Sequence, residues 1–267
     1  MTTTLEWPDA VDSRTNHYVR RWMRHFPLIR ATCIESWLEG LSHATLPTLL
    51  KTLSPVERDL LVEERWRRES GRPSIDPCQF DELVLSLEEL VLAAQDASEP
   101  GSTFLRLGSR APIDSQLARK AELQVDGGPE ALEVLLDSPR LFDDLCLFQE
   151  CGYSTSLIVR PWLRLPRWCE LRAFIRGRRL VGLSQRILDG GPLHGLAQRA
   201  DALEEAILRR CDELRQAWPL DELVVDFACP DGQAWVVDLH PWLPWTSGGL
   251  FSWEEDTFSE YSFRYLR

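Results

Sequence analysis

The stretch Leu223-Val-Val-Asp-Phe-Ala228, then Cys229-Pro-Asp-Gly-Gln233, then Ala234-Trp-Val-Val-Asp-Leu-His240 decides how this chain is read. Two runs rich in β-branched residues flank a Pro-Asp-Gly turn, the pattern of an antiparallel hairpin. Each strand carries one acid among apolar neighbours, Asp226 in the first and Asp238 in the second. With a strand period of two, Asp238 and His240 share a face. A three-residue loop with Gly232 left-handed sets Asp226 opposite Val236 and diagonal to Asp238, so the three side chains converge. Two carboxylates at that spacing suit a Mg²⁺ that also takes phosphate oxygens and water. One solvated Asp per strand of an amphipathic hairpin is the plainer alternative, and a two-residue turn would separate the pair.

Upstream, Glu170-Leu-Arg-Ala-Phe-Ile175 and Leu180-Val-Gly-Leu-Ser-Gln-Arg186 read as a second hairpin turned at Arg176-Gly177-Arg178. Glu170 and Arg172 share one strand face, Arg186 closes the partner strand, and Arg160 closes Leu157-Ile-Val-Arg160. Arginines at strand ends are suited to gripping phosphate oxygens in two-pronged fashion, although ordinary surface pairing with the 42 acids accounts for most arginines in such a chain. Further strand-like residues are Thr103–Leu107. Helices are expected over 16–26, with Tyr18, Trp22 and Phe26 on one face, then from the capping box Ser54-Pro-Val-Glu57 to about Ser70, and over 81–94, 112–122, 129–136, 139–150 and 202–218. The segment 96–102 breaks the helical pattern and reads as a subdomain boundary.

Among 267 residues, 44% are hydrophobic and 27% charged, which describes a globular chain of one large domain or two lobes and excludes a disordered or fibrous one. The net charge of −12 argues against a nucleic-acid or anionic-lipid grip. No run approaches a membrane span and the start lacks a signal-peptide pattern, so no membrane partner and a cytoplasmic location are expected. Seven cysteines without a Cys-x-x-Cys pair read as reduced thiols. Phosphate-loop, dinucleotide, serine-hydrolase and zinc-protease signatures are absent. Lys51 and Lys120 are the only lysines, so nearly all of the 30 basic residues are arginines.

The order of these segments resembles the cell division cycle protein 123 family, whose members resemble ATP-grasp enzymes and act as assembly chaperones for translation initiation factor 2. Phe104-Leu-Arg-Leu-Gly-Ser-Arg-Ala-Pro-Ile-Asp114 is similar to the family's Phe-x-Lys-Leu segment ending in Pro-Lys/Arg-Asp. Val236-Val-Asp-Leu-His-Pro-Trp242 running into Leu250-Phe-Ser-Trp-Glu-Glu255 is similar to its Ile-Asp-Phe-Asn-Pro-Phe and Leu-Phe-x-Trp-Glu-Glu. The resemblance covers much of 104–255. It implies an α+β, ATP-grasp-like fold of two lobes, 1–163 and 164–267, with mainly antiparallel sheets flanked by helices and a nucleotide cleft between the lobes. It further implies ATP with Mg²⁺ as cofactors and a protein partner gripped by an outer surface. Carried over residue by residue, Arg106 replaces the phosphate lysine, with Ser109 beside it among the nucleotide-binding residues. Val159, Arg160 and Trp162 lie in the adenine hinge, Glu170, Arg172 and Arg186 line the nucleotide, and Asp226, Asp238 and His240 take the metal positions. His240 stands where the family has asparagine, which admits Mn²⁺ as an alternative ion. Thr246-Ser247 stands where the family has Thr-Asp. An ATP-dependent carboxylate-amine ligase working through an acyl phosphate is the alternative activity.

Overall fold

The computed structural model describes residues 17–96, 101–189 and 191–267. The chain divides into two compact units, one formed by the residues up to Pro27 with Thr48–Trp162, the other by Leu28–Pro47 with Leu163–Arg267. Helix 81–95 and the strand that follows it belong to the same unit, so the break in pattern after residue 95 is a connection within a unit, not a boundary. Residues 97–100 of that break, and Asn16 at the start of the first expected helix, lie outside the described residues.

The first unit holds a three-stranded antiparallel sheet of strands β1 (Leu49–Thr52), β2 (Thr103–Leu107) and β3 (Ser156–Pro161), in the order β1-β3-β2. Leu105 faces Val159, Arg106 faces Ile158 and Phe104 faces Arg160 across β2 and β3, so Arg106 and Arg160 emerge on one side of the sheet. Helix Asp81–Gln95 packs on all three strands and also contacts helix Gly128–Asp137. Helix Pro55–Glu69 starts as its sequence demands. The Ser54 hydroxyl accepts from the Glu57 amide, and the Glu57 carboxylate accepts from the Ser54 amide at 2.8 Å.

The expected helix over 112–122 shrinks to Gln116–Lys120. Ser115 caps it, accepting from the Ala118 amide, and Glu122 and Leu123 end it with φ of 52° and 66°. Asp114 is spent elsewhere, accepting from the Ser138 hydroxyl at 2.5 Å and the Arg140 amide at 2.9 Å at the start of helix Pro139–Glu150. The aromatic stripe holds: Tyr18 and Trp22 rings lie 5.8 Å apart, while Phe26, beyond a turn at 24–25, packs edge-on to Phe148 and Tyr153.

The second unit is built on strands β4 (Glu170–Arg176), β5 (Arg179–Gln185), β6 (Leu223–Ala228), β7 (Trp235–Pro241) and β8 (Phe263–Arg264). Their order is β7-β6-β4-β5-β8, antiparallel except for β8, which runs parallel to β5. The first hairpin turns at Gly177 and Arg178, both with positive φ, as a two-residue turn between right-twisted strands requires. Helix Leu196–Glu213 starts after Gly195, whose φ is 89°, and buries Leu196, Ala200, Leu203, Ala206, Ile207 and Cys211 as one stripe. That start lies upstream of the residue 202 expected from sequence, and Trp218 falls beyond the helix. Helix Ile34–Leu41 packs on β7, and Thr45 bridges to Val236, donating its hydroxyl to the Val236 carbonyl at 2.6 Å. The mixed α+β character and the antiparallel sheets flanked by helices are those expected from sequence. Seven free cysteines agree with reduced thiols.

Candidate functional site

Register places the polar residues of the second sheet in one row. Asp226 on β6 faces Arg172 on β4, which in turn faces Ser184 on β5. On its other side Asp226 faces Asp238 directly, not Val236 as the assumed three-residue loop implied. Gly232 is left-handed, with φ of 82°, but Ala228 pairs with Trp235 and Phe227 with Val236. Val237 is then bulged out, so that Asp226 meets Asp238 and Val224 meets His240. The bulge brings the second acid onto the site face.

The row closes into a network on Asp226. Arg172 donates its Nε to Asp226 Oδ1 and its Nη2 to Oδ2, both at 2.8 Å, a two-pronged fork. Arg186 Nε donates to the same Oδ2 at 3.0 Å while its Nη1 donates to Glu170 Oε2 at 2.6 Å. His240 Nε2 lies 2.9 Å from Asp226 Oδ2, 3.3 Å from Arg172 Nη2 and 3.8 Å from Asp238 Oδ2. Asp226 is 1% exposed, Arg172 and Asp238 8% each. Burial alone would push the Asp226 carboxyl up, but the Arg172 and Arg186 guanidinia, with His240 beside them, outweigh it and hold it well below the usual carboxylate range. Glu170 moves the other way: burial raises it, Arg186 opposes and the Asp226 charge adds to the rise.

The loop at Thr246-Ser247, marked in the sequence only as a departure from the resembled pattern, braces the fork. Arg172 Nη1 donates to the Ser247 carbonyl at 2.8 Å. That contact uses the backbone carbonyl and so does not depend on the Ser247 side chain. Gly249, with φ of 60°, sits against Ser184, whose hydroxyl accepts from the Leu250 amide and donates to the Gln185 carbonyl, each at 2.9 Å. The adjacent Gly248-Gly249 pair is the sequence signal for this approach. Beyond it, Phe174 is the hub of an aromatic cluster with Trp242, Phe251, Trp253 and Phe258 at centroid distances of 6.1, 5.0, 5.8 and 5.0 Å. Trp242 and Trp253 are thus packing residues, while Trp245 is 39% exposed.

The sequence-derived residues of the first unit form a separate group. Arg106 and Arg160 are buried; Arg106 Nε donates to the Leu107 carbonyl at 3.0 Å and Arg160 Nε to Thr48 Oγ1 at 2.9 Å. Val159 is in mid-strand on the central β3, and Trp162, just past its end, donates its indole N–H to the Glu122 carbonyl at 3.1 Å. The Ser109 hydroxyl donates to Asp144 Oδ2 at 2.5 Å, inside a knot in which the same fully buried carboxylate takes Arg110 Nε at 2.7 Å and the Tyr18 hydroxyl. That knot fastens the N-terminal helix to the loop after β2.

Asp226 and Asp238, the two acids expected from sequence to carry a divalent cation, face each other directly across β6 and β7. Among the described residues, however, no three His, Cys, Asp or Glu side chains form a metal-holding group. Both Asp226 oxygens already accept guanidinium hydrogens and His240 Nε2 lies between Arg172 and Asp226. The donors therefore fit a cation that a phosphate ligand brings and partly coordinates, the usual manner of Mg²⁺, and not one caged by protein alone.

Fold and site together define an α+β protein of two units in which a buried carboxylate anchors one buried and one exposed arginine on the face of a mainly antiparallel sheet. The D123 family model matches residues 74–263, and the chain belongs to that family. It is 26% identical over 227 residues to the translation initiation factor eIF2 assembly protein of Botryotinia fuckeliana, covering 79% of this chain and 54% of that protein. To the Xenopus laevis protein of the same name it is 24% identical, covering 74% of this chain and 62% of the relative. The chain thus spans little more than half the length of these curated relatives. The structure of C-terminally truncated Cdc123 from Schizosaccharomyces pombe superposes with a TM-score of 0.70 at 22% identity, over 86% of this chain and 90% of that one. The fold is therefore that of Cdc123.

Proposed function

We propose that the chain is an ATP-binding assembly factor that acts on a protein partner, as the names of its eIF2 assembly relatives indicate for them. The observation that carries the nucleotide part is the Arg172–Asp226–Arg186 network. Two guanidinia on one sheet face, locked in orientation by a shared carboxylate, are ready-made donors for phosphate oxygens. Arg172 is further fixed by the Ser247 carbonyl, and Arg186 by Glu170. Asp226, Asp238 and His240 are the residues that would hold Mg²⁺ or Mn²⁺; when bound, the ion neutralises phosphate charge. In the first unit, Arg106, Ser109, Val159, Arg160 and Trp162 are nucleotide residues by the family resemblance alone, and the Ser109 hydroxyl is already given to Asp144. Binding and orientation are what these side chains provide; the partner engages another surface.

Titration calorimetry with ATP and Mg²⁺ tests the reading, beside Arg172→Gln and Arg106→Lys. Binding that is retained in Arg106→Lys and lost in Arg172→Gln supports it. No heat at millimolar ATP with wild-type protein refutes it. Phosphate release only when a carboxylate and an amine acceptor are supplied would replace it with the ligase activity.

A further inference from the structure

The Asp226 carboxylate has two oxygens and takes four contacts, from Arg172 Nε and Nη2, Arg186 Nε and His240 Nε2. It is also the counter-ion for two guanidinia, of which Arg172 is itself buried. A cation arriving alone competes with both arginines for Asp226; Arg186 would keep its ion pair to Glu170, but the buried Arg172 would lose its carboxylate in a water-poor place, which is unfavourable. A polyphosphate changes that balance. Its oxygens accept the guanidinium hydrogens, so Arg172 and Arg186 exchange one anion for another, and Asp226 is released with lone pairs free for a cation.

We infer that the divalent-cation site is absent from the free protein and is created by the nucleotide, through exchange of the Arg172 and Arg186 ion pairs from Asp226 to phosphate. This rests on the nucleotide reading above and adds its order: phosphate first or together with the cation, never the cation first. Asp238 is the acid that Asp226 joins after the exchange, since the two face each other directly across β6 and β7. Arg186, with 36% of its side chain exposed, is the member of the pair that solvent reaches more readily, and so the one from which exchange starts.

The test uses Mn²⁺, whose free form is counted by electron paramagnetic resonance, with a non-hydrolysable ATP analogue monitored separately by calorimetry. Wild-type protein is expected to bind Mn²⁺ at least about tenfold more tightly with the analogue than without it, a coupling that adenosine does not produce. Arg186→Gln is expected to raise the affinity for Mn²⁺ alone by several-fold, because Asp226 loses one competing donor, while weakening the analogue. A thermal melt confirms that this variant is folded; Arg186→Lys, which keeps the charge, serves if it is not, and is expected to bind Mn²⁺ alone no better than wild type. Equal Mn²⁺ affinity with and without bound analogue overturns the inference alone, as does a folded Arg186→Gln with no gain. Failure of the analogue to bind overturns the nucleotide reading as well.

Discussion

Replacing Gly249 by alanine puts a single methyl group where the site is braced. At this position φ is 60°, and a Cβ would lie 2.4 Å from the Ser184 hydroxyl oxygen, 3.0 Å from Ser184 Cβ and 3.3 Å from the Gln185 carbonyl. The left-handed backbone costs a non-glycine residue roughly 1–2 kcal/mol. Relieving the overlap costs about 1–3 kcal/mol more, as other overpacking changes do. A loss of roughly 2–5 kcal/mol lowers the melting temperature by about 4–20 °C at about 2–4 °C per kcal/mol. The cheapest relief moves residues 247–250 away from β5, and that takes the Ser247 carbonyl from Arg172. A hydrogen bond to a charged group contributes about 1.5–3 kcal/mol, so ATP affinity should fall about tenfold or more. The assays are a thermal melt by circular dichroism and ATP calorimetry, with Gly40→Ala as control. Gly40 lies inside helix Ile34–Leu41 with no atom within 4 Å of its added Cβ, and alanine there should stabilise by up to about 1 kcal/mol. A Gly249→Ala protein that melts and binds ATP as wild type does would refute the bracing role.

Phe174→Ala empties the hub of the aromatic cluster and should cost roughly 3–5 kcal/mol in a denaturant melt; a loss under about 1 kcal/mol would mean that the neighbouring rings close the space. Asp226→Asn leaves two guanidinia without their carboxylate and should destabilise by roughly 3–5 kcal/mol, with a non-additive double mutant alongside Arg186→Gln. The pH dependence follows from the lowered Asp226 carboxyl. A group held below its unfolded value of about 3.9 contributes stability above that pH and loses it as pH falls through the folded value. Melting temperature should therefore fall below about pH 4, and less steeply in Asp226→Asn, once the Glu57 and Glu64 carboxyls, which are lowered too, are allowed for by comparison at each pH. Equal slopes in the two proteins would deny Asp226 that part.

Elements with strong local signals were legible in the sequence. The capping box at Ser54, the helix at Pro139 and the strand Thr103–Leu107 fall where their residues put them. Strand β1 was missed because Leu49–Thr52 is only four residues long and draws its stability from pairing with β3, a distant partner. The helix expected over 112–122 failed because Asp114 and Ser115 cap different helices, and such allegiance is a tertiary fact. At the site, composition and period identified Asp226, Asp238, Arg172 and Arg186. What they could not show is that Asp226 is already paired with both arginines, since an ion pair between β4 and β6 depends on which strands are neighbours. Ser184, Ser247 and Gly249 act through a hydroxyl, a carbonyl and a missing side chain, none of which leaves a charged or aromatic mark.

The bulge at Val237 has a bearing on how chain length can vary in this family. With the ladder unbroken from Ala228 and Trp235, Asp226 would face Val237, and Asp238 would turn to the opposite side of the sheet. One surplus residue corrects the parity. Losing that residue would correct it equally well, for Val236 would then be followed at once by the acid, on the site face. Val237 is thus the position in β7 where a relative one residue shorter keeps its acid pair, whereas a single residue gained within β7 between Trp235 and Asp238, unless a second bulge absorbs it, hands Asp238 and His240 to the other face.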